Sequence, residues 1–228
     1  MDIEKECTLL GTLFQAIVTD LKASSPVWDD FVNKGIKLHN LLKATTMAMS
    51  AFMESIQKIA DFTTNTKGST KDIGIALTRI CVRQKQMDNK LKSFTNALLD
   101  SLVIPIQERL EEWKKVSNQL EKDHAKEYKR AMHDIKKRNT DTVRLQKKVR
   151  KGSKPDLHQQ LSSAMHDVND RFTSLEETEK SALRNLLVEE RTRICLFANS
   201  LSPVLDLEVE MVNEVSNLRE LTEDVTRL

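Results

Sequence analysis

The side chains able to do covalent or acid–base chemistry are five histidines (His39, His124, His133, His158, His166), three cysteines (Cys7, Cys81, Cys195) and acidic pairs such as Glu111-Glu112, Glu176-Glu177 and Glu189-Glu190. A zinc site needs ligands at fixed short spacings, yet no CxxC, no Cys/His spacing and no His pair at i, i+4 with a carboxylate between occurs. His158 and His166, eight apart, read as an ordinary surface pair. Neighbouring carboxylates on a helix point in different directions, and general acid–base work needs a sheltered cleft. Gly11, Gly35, Gly68, Gly74 and Gly152 stand alone, so no Gly-rich phosphate loop exists. The cysteines are odd in number and far apart, which predicts small core hydrophobes in a reducing compartment. These residues point to no enzyme, no metal and no cofactor.

The chemistry the residues do support is electrostatic. Lys147, Lys148, Arg150, Lys151 and Lys154 surround Gly152, with no acidic residue between Asp141 and Asp156. Near an anionic leaflet each such charge is worth about 1 kcal/mol, and four to eight together read as a phosphoinositide site. Lys114, Lys115, Lys129, Arg130, Lys136, Lys137, Arg138 and Arg144 are candidate further contacts for lipid or another polyanion. Lys122 and Lys126, beside Asp123 and Glu127, suit ordinary surface pairing. From Lys114 to Lys154 there are 15 Lys/Arg against 5 Asp/Glu, whereas the whole chain carries only +2. Such asymmetry selects polyanionic partners.

Long helices must carry these charges. Gly and Pro together make up 9 of 228 residues, about a third of ordinary usage, which excludes sandwiches, barrels and loop-rich α/β folds. Breakers at Ser24-Ser25-Pro26, Thr63–Thr70, Lys151–Pro155 and Ser200–Pro203 divide the chain into helices of about 2–24, 26–63, 70–151, 156–200 and 203–227. Heptad spacing runs through Ile3, Cys7, Leu10, Phe14, Ile17 and Leu21, and through Ile73, Leu77, Ile80, Gln84, Met87, Leu91, Phe94 and Leu98. At Leu98, Leu102, Ile106 and Leu110 the spacing becomes fours, with Pro105 inside, so a bend is expected there. A third helix of about 80 residues would be about 120 Å long. It cannot fit a compact chain of this size, whose radius of gyration would be about 17 Å. Its seam needs a second copy, which predicts an antiparallel homodimer.

The stretches Ile3-Glu4-Lys5-Glu6-Cys7, Thr64-Asn65-Thr66-Lys67-Gly68, Glu112-Trp113-Lys114-Lys115-Val116, Lys122–Lys129 and Leu175–Lys180 resemble the I-BAR domain (inverse BAR, or IMD) of the missing-in-metastasis type. The resemblance covers essentially the whole chain. It implies a single all-α domain over 1–228, an elongated antiparallel helical-bundle homodimer with long coiled-coil-like helices. It also implies binding to phosphoinositide-rich membranes, which such domains bend into protrusions, together with links to actin filaments and, in some members, to the small GTPase Rac. The expected location is then cytoplasmic, peripheral on the inner face of the plasma membrane and associated with the cytoskeleton. Leu9 and Leu13, on a second apolar stripe of the first helix, become candidates for membrane insertion. Lys5 and Lys22 are its only cations, so core packing is the better reading of that helix.

An alternative shares the same lysines: a cytoskeletal rod that bundles actin filaments through basic dimer ends. Nucleic acid is excluded as a partner, because the tip run lacks aromatics for base stacking and no nucleic-acid module is present. Asp2, Glu4 and Glu6 argue against a secretory or mitochondrial leader, and no apolar run is long enough to span a bilayer.

Overall fold

The computed structural model describes residues 3–152 and 155–225, with side chains described up to residue 215. Five α-helices follow one another: α1 (Ile3–Ala23), α2 (Ser25–Asn65), α3 (Lys71–Ala97), α4 (Ile104–Lys151) and α5 (Pro155–Val225), with a π-helical segment at Leu98–Val103 joining α3 to α4. No strand occurs among the described residues. The contacts group into two compact units, one of 1–25 with 111–193 and one of 26–110 with 194–228.

In the first unit α1 lies antiparallel to α4 and parallel to the start of α5. Phe14, Val18 and Leu21 pack on Leu120, Leu183 and Leu186, while Cys7 packs on Ile135 and Leu175. The expected seam of α1 is therefore inward, with Val18 added to it. Ser24 closes α1: its N–H donates to the Asp20 carbonyl at 2.9 Å and its hydroxyl to the Leu21 carbonyl at 2.7 Å.

The second unit holds α2, α3, the π segment, the start of α4 up to Leu110 and the end of α5. Its main cluster joins Leu98, Leu102 and Val204 to Phe31, Leu42, Phe94, Phe197 and Leu201, with Phe31 and Phe197 edge to face at 5.4 Å. α2 and α3 run antiparallel and meet along Gly74, Cys81, Asp88 and Thr95, all buried and seven residues apart. Small and polar side chains at this spacing let the helices approach closely. A Cβ on Gly74 would lie 2.6 Å from the backbone nitrogen of Thr64, so only glycine fits. Higher up, the His39 Nδ1–H donates to the Thr95 carbonyl at 2.9 Å. Ser50 and Lys92 each donate to Asp88 Oδ2 at 2.7 Å. Burial pushes the Asp88 carboxyl up, but these two donors outweigh it and hold it below the usual range.

Three sequence expectations are corrected. The third helix is interrupted: just before Pro105 the backbone widens to π geometry, and the Ile104 N–H reaches back five residues to Leu99. A proline ring would clash with the carbonyl four residues earlier, and the wider turn moves that carbonyl aside. The break expected at Ser200–Pro203 is absent, since α5 runs straight through Pro203. Phe197 and Leu201 before the proline and Val204 after it pack into one cluster, and their burial outweighs a proline penalty of about 3 kcal/mol.

The third correction concerns the uncovered seam. On α3, Ile73 is exposed, to 45%, but Leu77, Ile80, Met87, Leu91 and Phe94 of the expected seam are half-buried by the chain itself. A shorter apolar row left in solvent, on α5, holds Leu205, Val209 and Val212. The longer one is on α2, where Leu38, Leu41, Phe52, Ile59 and Phe62 are all exposed, Phe62 to 73%. With Thr45, Ala48 and Ser55 between them, these positions keep a 3-4 spacing over more than three heptads.

Candidate functional site

α4 positions almost every basic residue singled out from the sequence. Its inward side is marked by Trp113, Ser117, His124, Tyr128, Ile135 and Val149, which are buried or half-buried. The opposite side carries Lys115, Lys122, Lys126, Lys129, His133, Lys136, Thr140, Arg144, Lys147 and Lys151, all exposed. After the first interval of seven, the steps are threes and fours, so these residues form one line along the helix. From Lys115 to Lys151 that line is about 54 Å long at 1.5 Å per residue. Two acidic residues of the same stretch turn to other helices, Asp134 to Arg171 of α5 at 3.0 Å and Glu121 to Lys22 of α1, whereas Asp141 pairs with Arg144 of the line itself.

At the helix end Lys147, Lys148, Arg150 and Lys151 are exposed and form no ion pair among the described residues. Lys147 and Lys151 continue the line, with Lys148 and Arg150 on either flank. Lys154 lies outside the described residues. The helix C-terminus adds attraction for these cations, because its partial negative charge complements them.

The second set divides. Lys115, Lys129, Arg130, Lys136 and Lys137 are exposed and unpaired among the described residues. Arg138 reaches Asp167 at 3.5 Å, Arg144 reaches Asp141 at 3.4 Å, and half-buried Lys114 is held by Glu111 at 3.1 Å. Lys122 and Lys126 do not pair with their acidic neighbours as expected. Asp123, though three residues from Lys126, accepts from Gln119 at 2.9 Å instead, and Glu127 is five residues from Lys122, outside the reach of three or four. Both lysines join the line instead. Spacing relative to Trp113 and His124 would have revealed this, had the inward side been known. On α1, Leu9 (65%) and Leu13 (45%) are exposed while the other large apolar side chains are buried or half-buried.

Sequence reasoning missed two buried polar arrangements that hold α4 in place. Glu179 is only 1% exposed, and its oxygens lie 2.9 and 3.1 Å from His124 Nε2. The imidazole stacks on Phe14 at 3.9 Å, tying all three helices of this unit together. Burial, then the carboxylates of Glu176 and Glu179, push the Cys7 thiol up, and burial with Glu179 does the same to the Tyr128 phenol. Farther along, Arg193 donates to the Trp113 carbonyl at 2.9 Å and the Ser117 hydroxyl at 2.8 Å, with Glu189 at 2.9 Å. No three His, Cys, Asp or Glu side chains among the described residues converge on a metal position.

Replacing His124 with Leu should leave the Glu179 carboxylate buried without a partner, at about 3–5 kcal/mol. For a chain of this size that lowers Tm by roughly 6–20 °C, read by thermal unfolding under circular dichroism. Glu179→Gln, which keeps a hydrogen-bonding partner, should cost far less. An unchanged Tm for His124→Leu would show that the pair holds nothing together.

A helical chain with one continuous basic line and buried polar clamps has relatives of known architecture. The IRSp53/MIM homology domain matches residues 14–228. The chain belongs to this I-BAR family. It is 55% identical to human protein MTSS 2 over 227 residues, covering 99% of this chain and 30% of that protein. Human protein MTSS 1 is 52% identical over 226 residues, with the same coverage. The chain thus spans under a third of the length of the curated relatives it matches. The N-terminal I-BAR domain of D. discoideum IBARa superposes with a TM-score of 0.82, over 96% of this chain and 89% of that one, at 18% identity. That likeness speaks for the I-BAR fold alone. The I-BAR family is structural rather than enzymatic, and this member is not an enzyme. No helix among the described residues is long and apolar enough to cross a membrane.

Proposed function

We propose that the chain is a membrane-curvature domain that dimerises, binds anionic inner-leaflet lipids through α4, and promotes outward protrusions of the plasma membrane. The observation that carries the reading is the cationic line of α4, with Asp134 and Glu121 turned to other helices, in a member of the I-BAR family. A linear array of lysines suits a surface of many phosphates better than it suits one compact ligand. At about 1 kcal/mol per cation near the leaflet, engagement of half the line already gives several kcal/mol. The four cations at the end of α4 form the densest part, and phosphoinositides, with the highest charge per headgroup, are the preferred lipid. Lys154 belongs with them by sequence. Exposed Leu9 and Leu13 would add apolar contact where α1 meets the bilayer.

Dimerisation follows from the exposed row on α2, which a second copy would cover by two-fold pairing. Two copies double the lysine lines and raise avidity through effective concentration. Such a domain would sit peripherally on the inner face of the plasma membrane. Actin filaments and Rac enter as partners from the family resemblance alone.

Co-sedimentation separates this reading from actin bundling. Phosphatidylcholine vesicles carrying a phosphoinositide should pellet the chain, and plain phosphatidylcholine vesicles should not. The bound fraction should fall with salt as the Debye length shrinks from about 10 Å at 0.1 M to about 3 Å at 1 M. Pelleting with actin filaments but with neither vesicle would replace the membrane reading by the bundling one.

A further inference from the structure

From Lys122 to Lys151 the outward line of α4 contains one uncharged, non-titratable side chain. Thr140 is exposed, stands four residues from both Lys136 and Arg144, and donates its hydroxyl only to the Lys136 carbonyl, at 2.8 Å. Lys136, Lys137 and Arg138 precede it at the fourth, third and second positions upstream. That charge pattern fits the acid-lined substrate groove of basophilic serine/threonine kinases. We infer that Thr140 is a phosphorylation site, and that a phosphate there switches off the contact of α4 with an anionic membrane. The switch rests on the functional reading above; the site itself does not.

Kinase grooves take extended substrates, so the helix must open locally. This part of α4 permits it. Ile135 is its last buried residue, and none of 136–151 is buried. On α5 the matching stretch, 155–174, likewise contains no buried residue. Opening there breaks backbone hydrogen bonds, the pairings of Arg138 with Asp167 and Arg144 with Asp141, and the half-buried contacts of Leu145 and Val149. It uncovers no fully buried side chain, which places it toward the low end of local unfolding free energies. Thr142, half-buried, is the poorer acceptor.

In the transfer, Thr140 Oγ forms a bond to the γ-phosphorus of ATP as the bond from that phosphorus to the bridging oxygen breaks. ADP leaves, and the hydroxyl proton passes to the kinase's catalytic carboxylate. The product bears about −1.5 to −2 charges at pH 7. On the reformed helix Lys136, Lys137 and Arg144 lie three or four residues away, within pairing reach, and Arg144 would exchange its exposed pairing with Asp141 for the phosphate. The phosphate would occupy those cations and divide the line in two.

The test uses the whole chain carrying Ser153→Ala, because Arg150 and Lys151 make Ser153 a competing acceptor by sequence. It is treated with purified cAMP-dependent protein kinase and MgATP, mapped by peptide mass, and compared with a mock-treated sample on phosphoinositide vesicles. Phosphate should appear on Thr140 and vanish in Thr140→Ala. The phosphorylated chain should bind at least tenfold more weakly than the mock, and Thr140→Glu should move the same way to a smaller extent. Absence of phosphate on Thr140 would overturn the site, and equal binding of phosphorylated and mock samples would overturn the switch. If the mock sample itself fails to bind, the membrane reading falls and takes the switch with it, while the mass map still decides the site.

Discussion

Replacing Lys147, Lys148, Arg150 and Lys151 together with alanine should lower affinity for phosphoinositide vesicles at least tenfold, with helicity and dimerisation unchanged. The four side chains are exposed at the end of α4, so their removal leaves the clusters around Phe14 and Cys7 untouched. A dimer would lose eight charges. At about 1 kcal/mol each near the leaflet, engagement of only two exceeds the 1.4 kcal/mol that makes a decade. Vesicle co-sedimentation at two ionic strengths is the measurement, and the salt dependence should flatten in the variant. The end of α4 is not the site if the quadruple variant binds as tightly as the parent. The line from Lys115 to Lys137 would then be examined next by the same substitution.

The pair Phe52→Asp and Ile59→Asp should convert the chain to a folded monomer. Both residues are exposed in the single chain, to 67% and 58%, so neither substitution disturbs a core. Under two-fold symmetry each change occurs twice. Covering four such side chains is worth about 6–12 kcal/mol, taking 1.5–3 kcal/mol for each, and a carboxylate in their place adds a desolvation cost. The dimer dissociation constant should therefore rise by at least about four decades. Analytical ultracentrifugation measures it, with circular dichroism checking that helicity is kept. A variant that stays dimeric at the parent's midpoint would place the interface on another face. Loss of vesicle binding together with the dimer would show that avidity, not one line of lysines, holds the membrane.

The all-helical class, the basic stretch and the I-BAR resemblance were legible in the chain because they depend on composition and local order. Scarce Gly and Pro, heptad spacing and the cations from Lys114 to Lys154 keep their meaning whatever packs against them. So did the disturbance near Pro105, since a missing N–H is a local defect. What only the tertiary structure decided is orientation. Which side of α4 faces solvent depends on where α1 and α5 lie, and this turned Lys122 and Lys126 from presumed surface pairs into members of the line. Two residues can share a helix period yet differ in burial, which is why the α3 seam is partly filled while the α2 row stays open. Pro203 reads as a stop in isolation, but the burial of Phe197, Leu201 and Val204 overrides it. Glu179 and His124, 55 positions apart, meet only because α4 and α5 run antiparallel. Sequence order records neighbours along the chain, and long-range pairing enters only once helices have found their partners.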